Sequence, residues 1–188
     1  MTHAISAIVL AGGQGRRMGG SDKGWVCYRG RPLIELVLAR LHDQSDDIVI
    51  SCNRNVPRYA ALRPVAVDQS KDYLGPLAGI TAAGRLCRHQ WIQICPCDTP
   101  DIPLDLSRQL LTIAQRREVD AVTPADATGR HYLCSLVHQR TLISAAAALA
   151  RGDLAVRAWL ASVNACTTRI AAPRHAFANL NTREQLLG

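Results

Sequence analysis

Between Leu10 and Gly24 the chain reads LAGGQGRRMGGSDKG, six glycines within 13 residues interleaved with Arg16, Arg17 and Lys23. Glycine lets backbone N–H groups turn inward and approach a ligand with no Cβ in the way. Cationic side chains on such a loop suit it to phosphate. Two familiar phosphate loops do not fit the spacing. A dinucleotide fingerprint would need glycine where Met18 stands, and a Walker loop would not place Lys23 between Asp22 and Gly24. A solvated glycine-rich turn would account for the glycines but not for the basic residues among them. Lys23 carries extra weight, because it and Lys71 are the only lysines beside twenty arginines. An ammonium is a compact point charge that can follow a phosphoryl group, whereas guanidinium is a rigid fork.

Other candidates recur at matching places along the chain. Asp98, in CPCDTP (95–100), follows an apolar run. A lone carboxylate there suits Mg²⁺, which takes one or two carboxylates and completes its octahedron with phosphate oxygens and water. It also reads as an ordinary turn or cap aspartate. Asp101, close by, reads as a residue that caps or solvates the loop. Asp68 precedes Gly75-Pro76-Leu77-Ala78-Gly79, where proline suits a first helical turn and the helix start suits an anion. Ser51, Asn53 and Arg54 close another apolar run and offer hydrogen-bonding groups.

The elements that must carry these residues follow from hydrophobic period. Residues 5–10, 48–51, 64–67 and 91–95 read as buried strands, each running into one of the candidate segments. Helices are expected after Pro32 through Leu41, from Pro76 through Cys87, and after Asp105 as N-cap through Leu106, Leu110 and Ile113. Strand-like DAVTP (120–124) and YLCSLV (132–137) come next, then helices over 141–150 and 154–161 and a strand at 166–171. Strands alternating with helices predict a three-layer α/β/α sandwich, mostly parallel, with a mixed or antiparallel edge around 120–137. No repeat or linker divides the chain, so one domain is expected. In open α/β sheets, ligands bind outside the carboxyl ends of the strands, which is where the candidates fall.

Composition sets the remaining bounds. The 188 residues are 48% hydrophobic and 20% charged, an ordinary globular balance. No run of apolar residues is long enough to span a membrane, and the N-terminal stretch lacks the basic region of a signal peptide. The net charge of +7 raises nucleic acid as a partner. The scattered arginines and eight aromatic residues, without interleaving, argue against it and for a solvated arginine-rich surface. The seven cysteines lack zinc spacing and lie mostly in apolar patterns, which fits a reduced cytoplasmic protein.

The loop LAGGQGRRMGGSDKG resembles the signature L-A-G-G-x-x-x-R-M-G-G-x-D-K-G of the molybdenum cofactor guanylyltransferases, a branch of a wider nucleotidyltransferase group. The likeness continues through Asp68 with GPLAG (75–79), CDTP (97–100), Asn53-Arg54 and FANLNTRE (177–184). It implies a Rossmann-like sheet and transfer of GMP from GTP to the terminal phosphate of molybdopterin, with release of pyrophosphate. It implies catalytic roles for Lys23, Arg17 and Asp98. Nucleotide contacts would come from Leu10, Ala11, Gly12, Gly13, Lys23, Ser51, Asn53, Asp68 and Asp98. Gly20, Asp22, Gly75, Gly79, Asn179 and Asn181 would face the pterin, and Asp98 would hold Mg²⁺ or Mn²⁺. The likeness places the nucleotide half at about 1–105 and the pterin half at about 106–188. It also implies a monomer that makes transient contacts with other cofactor-biosynthesis proteins and the chaperones of target molybdoenzymes.

The chain departs from this pattern in places. Ser51 stands at the first position of an N-x-N-R run, and Tyr132 replaces a proline after His131. Leu154 and Ala155 stand where relatives often carry arginine, with Arg157 as a substitute. Asn181 with Glu184 also reads as a helix capping box. Three other readings stay open: transfer of another base or to a sugar or isoprenoid phosphate, a basic nucleic-acid module, and a silent nucleotide sensor. The presence of both Lys23 and Asp98 argues against the sensor.

Overall fold

The computed structural model describes residues 4–13, 22–68, 74–173 and 175–180. Strand β1 (Ile5–Leu10) lies inside a seven-stranded sheet, flanked in parallel by β4 (Asp47–Ser51) and β6 (Trp91–Pro96). Its residues alternate between two apolar cores, as expected for a parallel strand covered on both faces. Ala7 and Val9 join α1 (Leu33–His42) and α4 (Leu106–Arg117) on one side. Ile8 joins α3 (Pro76–Gly84), α5 (Leu142–Ala150) and α6 (Val156–Ala161) on the other. The three-layer sandwich read from the sequence is therefore present.

The strand order is β5-β4-β1-β6-β8-β7-β9, with β5 at Val65–Ala66, β7 at Ala121–Ala125, β8 at Leu136–His138 and β9 at Ala165–Arg169. Strand β8 runs antiparallel to β6 and β7, while β7 and β9 pair in parallel. The antiparallel strand thus lies inside the sheet, not at the expected mixed edge. The run YLCSLV is also not one strand. Tyr132–Cys134 is a 3₁₀ turn, and only Leu136–His138 pairs as β8. Polar groups impose the break: buried Gln93 donates its amide to the Cys134 carbonyl (2.9 Å), and Ser135 Oγ donates to the Tyr132 carbonyl (2.9 Å).

A second correction concerns Asp105. It precedes α4 as expected, but its side chain caps no backbone N–H and instead accepts from Gln109 Nε2 at 2.8 Å. The capping acceptor comes from the end of α1, where Gln44 Oε1 takes the Ser107 N–H at 2.9 Å. The same amide donates to the Arg40 and Pro103 carbonyls, so one side chain joins two helices. Two small elements lie outside the sequence reading. One is the hairpin of β2 (Cys27–Tyr28) and β3 (Arg31–Pro32), and the other is α2 (Val56–Ala60). Neither is long enough to repeat its hydrophobic period twice, so periodicity gives no signal there.

Candidate active site

The six parallel strands end on one edge of the sheet, and the candidate residues collect at the tips of β1, β4, β5 and β6. Each tip is tied to the next by a further backbone bond. Ala11 N–H donates to the Ser51 carbonyl (2.8 Å), Cys97 N–H to the Leu10 carbonyl (3.0 Å), and Cys52 N–H to the Ala66 carbonyl (3.1 Å). These bonds fix where the loops leave the sheet. Gly12 runs past the backbone of Ser51 and Cys52, and Gly13 has open space where a Cβ would stand. Arg16, Arg17 and Gly20 of this loop lie outside the described residues, as does Asn181.

The central feature is an ion pair. Lys23 Nζ donates to Asp98 Oδ2 across 75 residues of sequence, with only 19% of the lysine side chain and 12% of the aspartate side chain exposed. The other carboxylate oxygen, Asp98 Oδ1, is buried and has no hydrogen-bond partner among the described residues. An anionic oxygen left bare in a low-dielectric site favours a cation. No group of three His, Cys, Asp or Glu side chains that could cage a metal occurs among the described residues. A metal at Asp98 would therefore have few protein ligands, and this donor set suits Mg²⁺ completed by phosphate oxygens and water.

Lys23 itself stands on a short 3₁₀ turn, Lys23–Trp25, capped by Asp22. Both oxygens of Asp22 are engaged by the protein. Oδ1 accepts from Tyr59 Oη (2.6 Å) and the Gly24 N–H (3.3 Å), and Oδ2 accepts from Asn55 Nδ2 (2.8 Å). Asp22, implied by the resemblance to face the pterin, is thus turned into the fold. At the β4 and β5 tips, Asn53 and Asp68 bind each other reciprocally. Asn53 Nδ2 donates to Asp68 Oδ2 (2.8 Å), and Asp68 N–H donates to Asn53 Oδ1 (3.1 Å). Ser51 is 4% exposed, and a Cβ at Gly79 would stand 2.5 Å from its Oγ. Gly79 therefore brings the first turn of α3 close against the strands. Gly75 precedes that helix with φ +79 and, as its N-cap residue, offers no side chain to cap it.

The C-terminal segment crosses the same edge. Leu180 N–H donates to the Asp98 carbonyl (2.9 Å), and Thr99 Oγ1 donates to Asn179 Oδ1 (2.9 Å). Phe177 stacks on His131 with ring centroids 4.5 Å apart. Asp101 accepts from Arg29 Nη1 (3.2 Å) and Arg40 Nη2 (3.4 Å), anchoring the loop after Asp98 to the hairpin and α1. Arg157 lies exposed on α6. Behind Asp98, burial raises the thiols of Cys95, Cys97 and Cys134 well above their usual range, reinforced by the aspartate's charge. Burial likewise pushes Cys52 to about 11 and Cys87 to about 12. They are packing groups, not nucleophiles. Sequence reasoning missed Tyr59 and Asn55, for which no motif or period gives a signal, and gave no role to Thr99 within CDTP.

The Lys23–Asp98 pair and the start of the glycine loop share the carboxyl edge of this sheet, and the comparisons identify the class as nucleotidyltransferase. The family described as MobA-like NTP transferase domain matches residues 7–168. A molybdenum cofactor guanylyltransferase from Polynucleobacter asymbioticus is 36% identical over 97% of this chain and 94% of its own length. One from Photobacterium profundum is 38% identical over 96% and 93%. The chain belongs to the molybdenum cofactor guanylyltransferases of the MobA-like family. Among solved structures, molybdopterin-guanine dinucleotide biosynthesis protein A from Archaeoglobus fulgidus shares the fold. Its TM-score is 0.80 at 23% identity, with 97% of this chain and 95% of that chain covered. A Mycobacterium tuberculosis protein solved with manganese aligns at TM-score 0.69 and 17% identity, covering 98% of each chain.

Proposed function

We propose that this chain transfers GMP from GTP to the terminal phosphate of molybdopterin, forming the guanine dinucleotide cofactor and releasing pyrophosphate. The observation that carries this reading is the Lys23–Asp98 pair, with its bare Asp98 Oδ1, at the edge where the glycine loop begins. An oxygen of the acceptor phosphate attacks the α-phosphorus of GTP. The new P–O bond forms as the bond from the α-phosphorus to the bridging oxygen breaks, and pyrophosphate leaves with that electron pair. The attacking oxygen is already anionic, so the site needs no general base. Positioning and charge compensation do the work.

Each residue then has a part. Lys23 turns its ammonium from Asp98 toward the triphosphate and stabilises charge that builds on the departing pyrophosphate. Arg17 adds to the same compensation. Leu10, Ala11, Gly12 and Gly13 offer backbone donors to the nucleotide. Asn53 and Asp68 present an amide and a carboxylate to the guanine nucleoside, orienting each other through their mutual bonds. Ser51 and Gly79 bring α3 against the β4 tip, and Gly75, with no side chain of its own, opens that helix start to phosphate. Asn179, steadied by Thr99, serves the acceptor, a role also assigned to Asn181 and Gly20, which lie outside the described residues. Asp98 is the residue that would hold Mg²⁺ or Mn²⁺, and that ion, when bound, neutralises the triphosphate.

Among the described residues no helix is long and apolar enough to cross a membrane. The free thiols of all seven cysteines suit a reducing, cytoplasmic setting for this activity. The deciding experiment compares GTP, CTP, ATP and UTP in pyrophosphate release with Mg²⁺ and molybdopterin. Release is expected with GTP and only weakly with the others. A preference for CTP, or release independent of molybdopterin, overturns the assignment.

A further inference from the structure

Lys23 has one rotatable side chain to deliver its charge, and the backbone beneath it is held at both flanks. On one side Asp22 accepts from Tyr59 Oη and Asn55 Nδ2 at 2.6 and 2.8 Å. On the other, a Cβ at Gly24 would land on the hydroxyl of the same Tyr59. Tyr59 is wholly buried, and its ring packs against Trp25 with centroids 5.0 Å apart. Arg58 covers the outer face of Trp25 at 3.6 Å. One phenol therefore grips the residue before Lys23, the residue after it and the end of its turn.

We propose that Tyr59 and Asn55 are positioning residues for the Lys23 ammonium, acting through Asp22 to hold the 3₁₀ turn in register with Asp98. The proposal rests on the guanylyltransferase reading of the site and adds residues that act through Asp22. Two further observations support it. Burial, with the Asp22 hydrogen bond next in weight, raises the Tyr59 phenol far above its usual range, so it stays a donor at any working pH. Asn55 takes a left-handed conformation, φ 50, which asparagine tolerates better than most residues, and its amide reaches Asp22 from there. The clamp explains why aspartate and glycine flank the lysine. Asp22 accepts the phenol, and Gly24 leaves room for it.

The chain's two lysines make the test direct, because lysine labelled with ¹³C at its ε-carbon gives two signals. A Lys71→Gln variant identifies the Lys23 signal. Tyr59→Phe keeps the ring and removes the donor, and Asn55→Gly keeps the left-handed turn and removes the amide. In each variant the Lys23 signal is expected to move toward that of free lysine. kcat with GTP should fall by about tenfold, with KM for molybdopterin within twofold. Should Tyr59→Phe not fold, Asn55→Gly, at an exposed position, decides the matter. An unmoved Lys23 signal in a folded variant overturns the proposal, as does a moved signal with an unchanged rate. If the parent protein releases no pyrophosphate from GTP, the functional reading fails, while the lysine signal still judges the clamp.

Discussion

Lys23 and Asp98 make an unusual pair, because the lysine side chain is largely buried while one oxygen of its partner carboxylate stays bare. Burying a carboxylate with an unsatisfied oxygen is costly, so the arrangement is explained by what it can bind rather than by what it stabilises. Asp98→Ala is accordingly expected to lower Mg²⁺-dependent pyrophosphate release by at least about 10²-fold. The melting temperature should stay close to the parent's. Near-normal release would remove Asp98 from the metal site. The lysine is tested by shape as much as by charge. Lys23→Arg keeps the charge but replaces a compact ammonium with a planar fork, on a turn whose flanks are clamped. Its rate should fall by about 10²-fold with GTP binding retained, measured by turnover and by equilibrium dialysis. An unaffected rate would show that any cation serves at this position.

At the scale of elements, the close approach of α3 to the strand tips is the most exacting contact. A methyl at Gly79 would sit 2.5 Å from Ser51 Oγ and 3.4 Å from Leu10 Cδ2. Gly79→Ala gains about 1 kcal/mol of helix propensity but sets it against about 1–3 kcal/mol of overpacking. A net loss of up to about 2 kcal/mol is expected in urea denaturation. Ser51→Ala should restore most of it, since it removes the obstructing atom, and strictly additive effects would refute the contact. The long strands are legible in the sequence because burial on both sides of the sheet leaves mostly apolar runs at β1, β4 and β6, interrupted by the buried Ser6 and Gln93. What was hidden depends on partners far along the chain. Gln44 caps α4 in place of Asp105, and Gln93 breaks YLCSLV into a turn and a strand. The same limit applied at the site. Residue type and spacing singled out Lys23 and Asp98, but only the fold brings them into contact. Tyr59 lies 37 residues from the aspartate it holds.

Over the whole molecule, two aspartates fasten opposite ends of the sheet and set how the fold responds to acid. At its amino end, Asp47 accepts from Ser6 Oγ (2.5 Å), the Arg88 N–H (2.8 Å) and Arg88 Nε (3.0 Å), joining β1, β4 and the approach to β6. Burial raises its pKa, but the hydrogen bonds from Arg88 and Ser6 and the arginine's charge outweigh that, so the net shift is downward. At the carboxyl end, Asp126 accepts from the Thr128 N–H (2.7 Å) and hydroxyl (2.6 Å) and lies 3.0 Å from His131 Nε2. Against the upward push of burial, these partners lower it to about 2. A carboxyl whose folded pKa is depressed contributes stability above its unfolded value, here 3.8, and loses it as pH falls through the folded value. His138, pushed down by burial and then by Arg140, adds a shallower loss that starts as pH drops below 6.5. The urea midpoint is therefore expected to decline gently below pH 6.5 and steeply from about pH 4 toward pH 2. Asp47→Asn should lower the midpoint at pH 7 and flatten the steep limb, because asparagine has no proton to gain. Asp126→Asn should do the same, leaving the shallow limb of His138 in place. If both variants keep the parent's acid profile, the depressed carboxyls are not what the acid attacks, and these two anchors do not set the fold's lower pH limit.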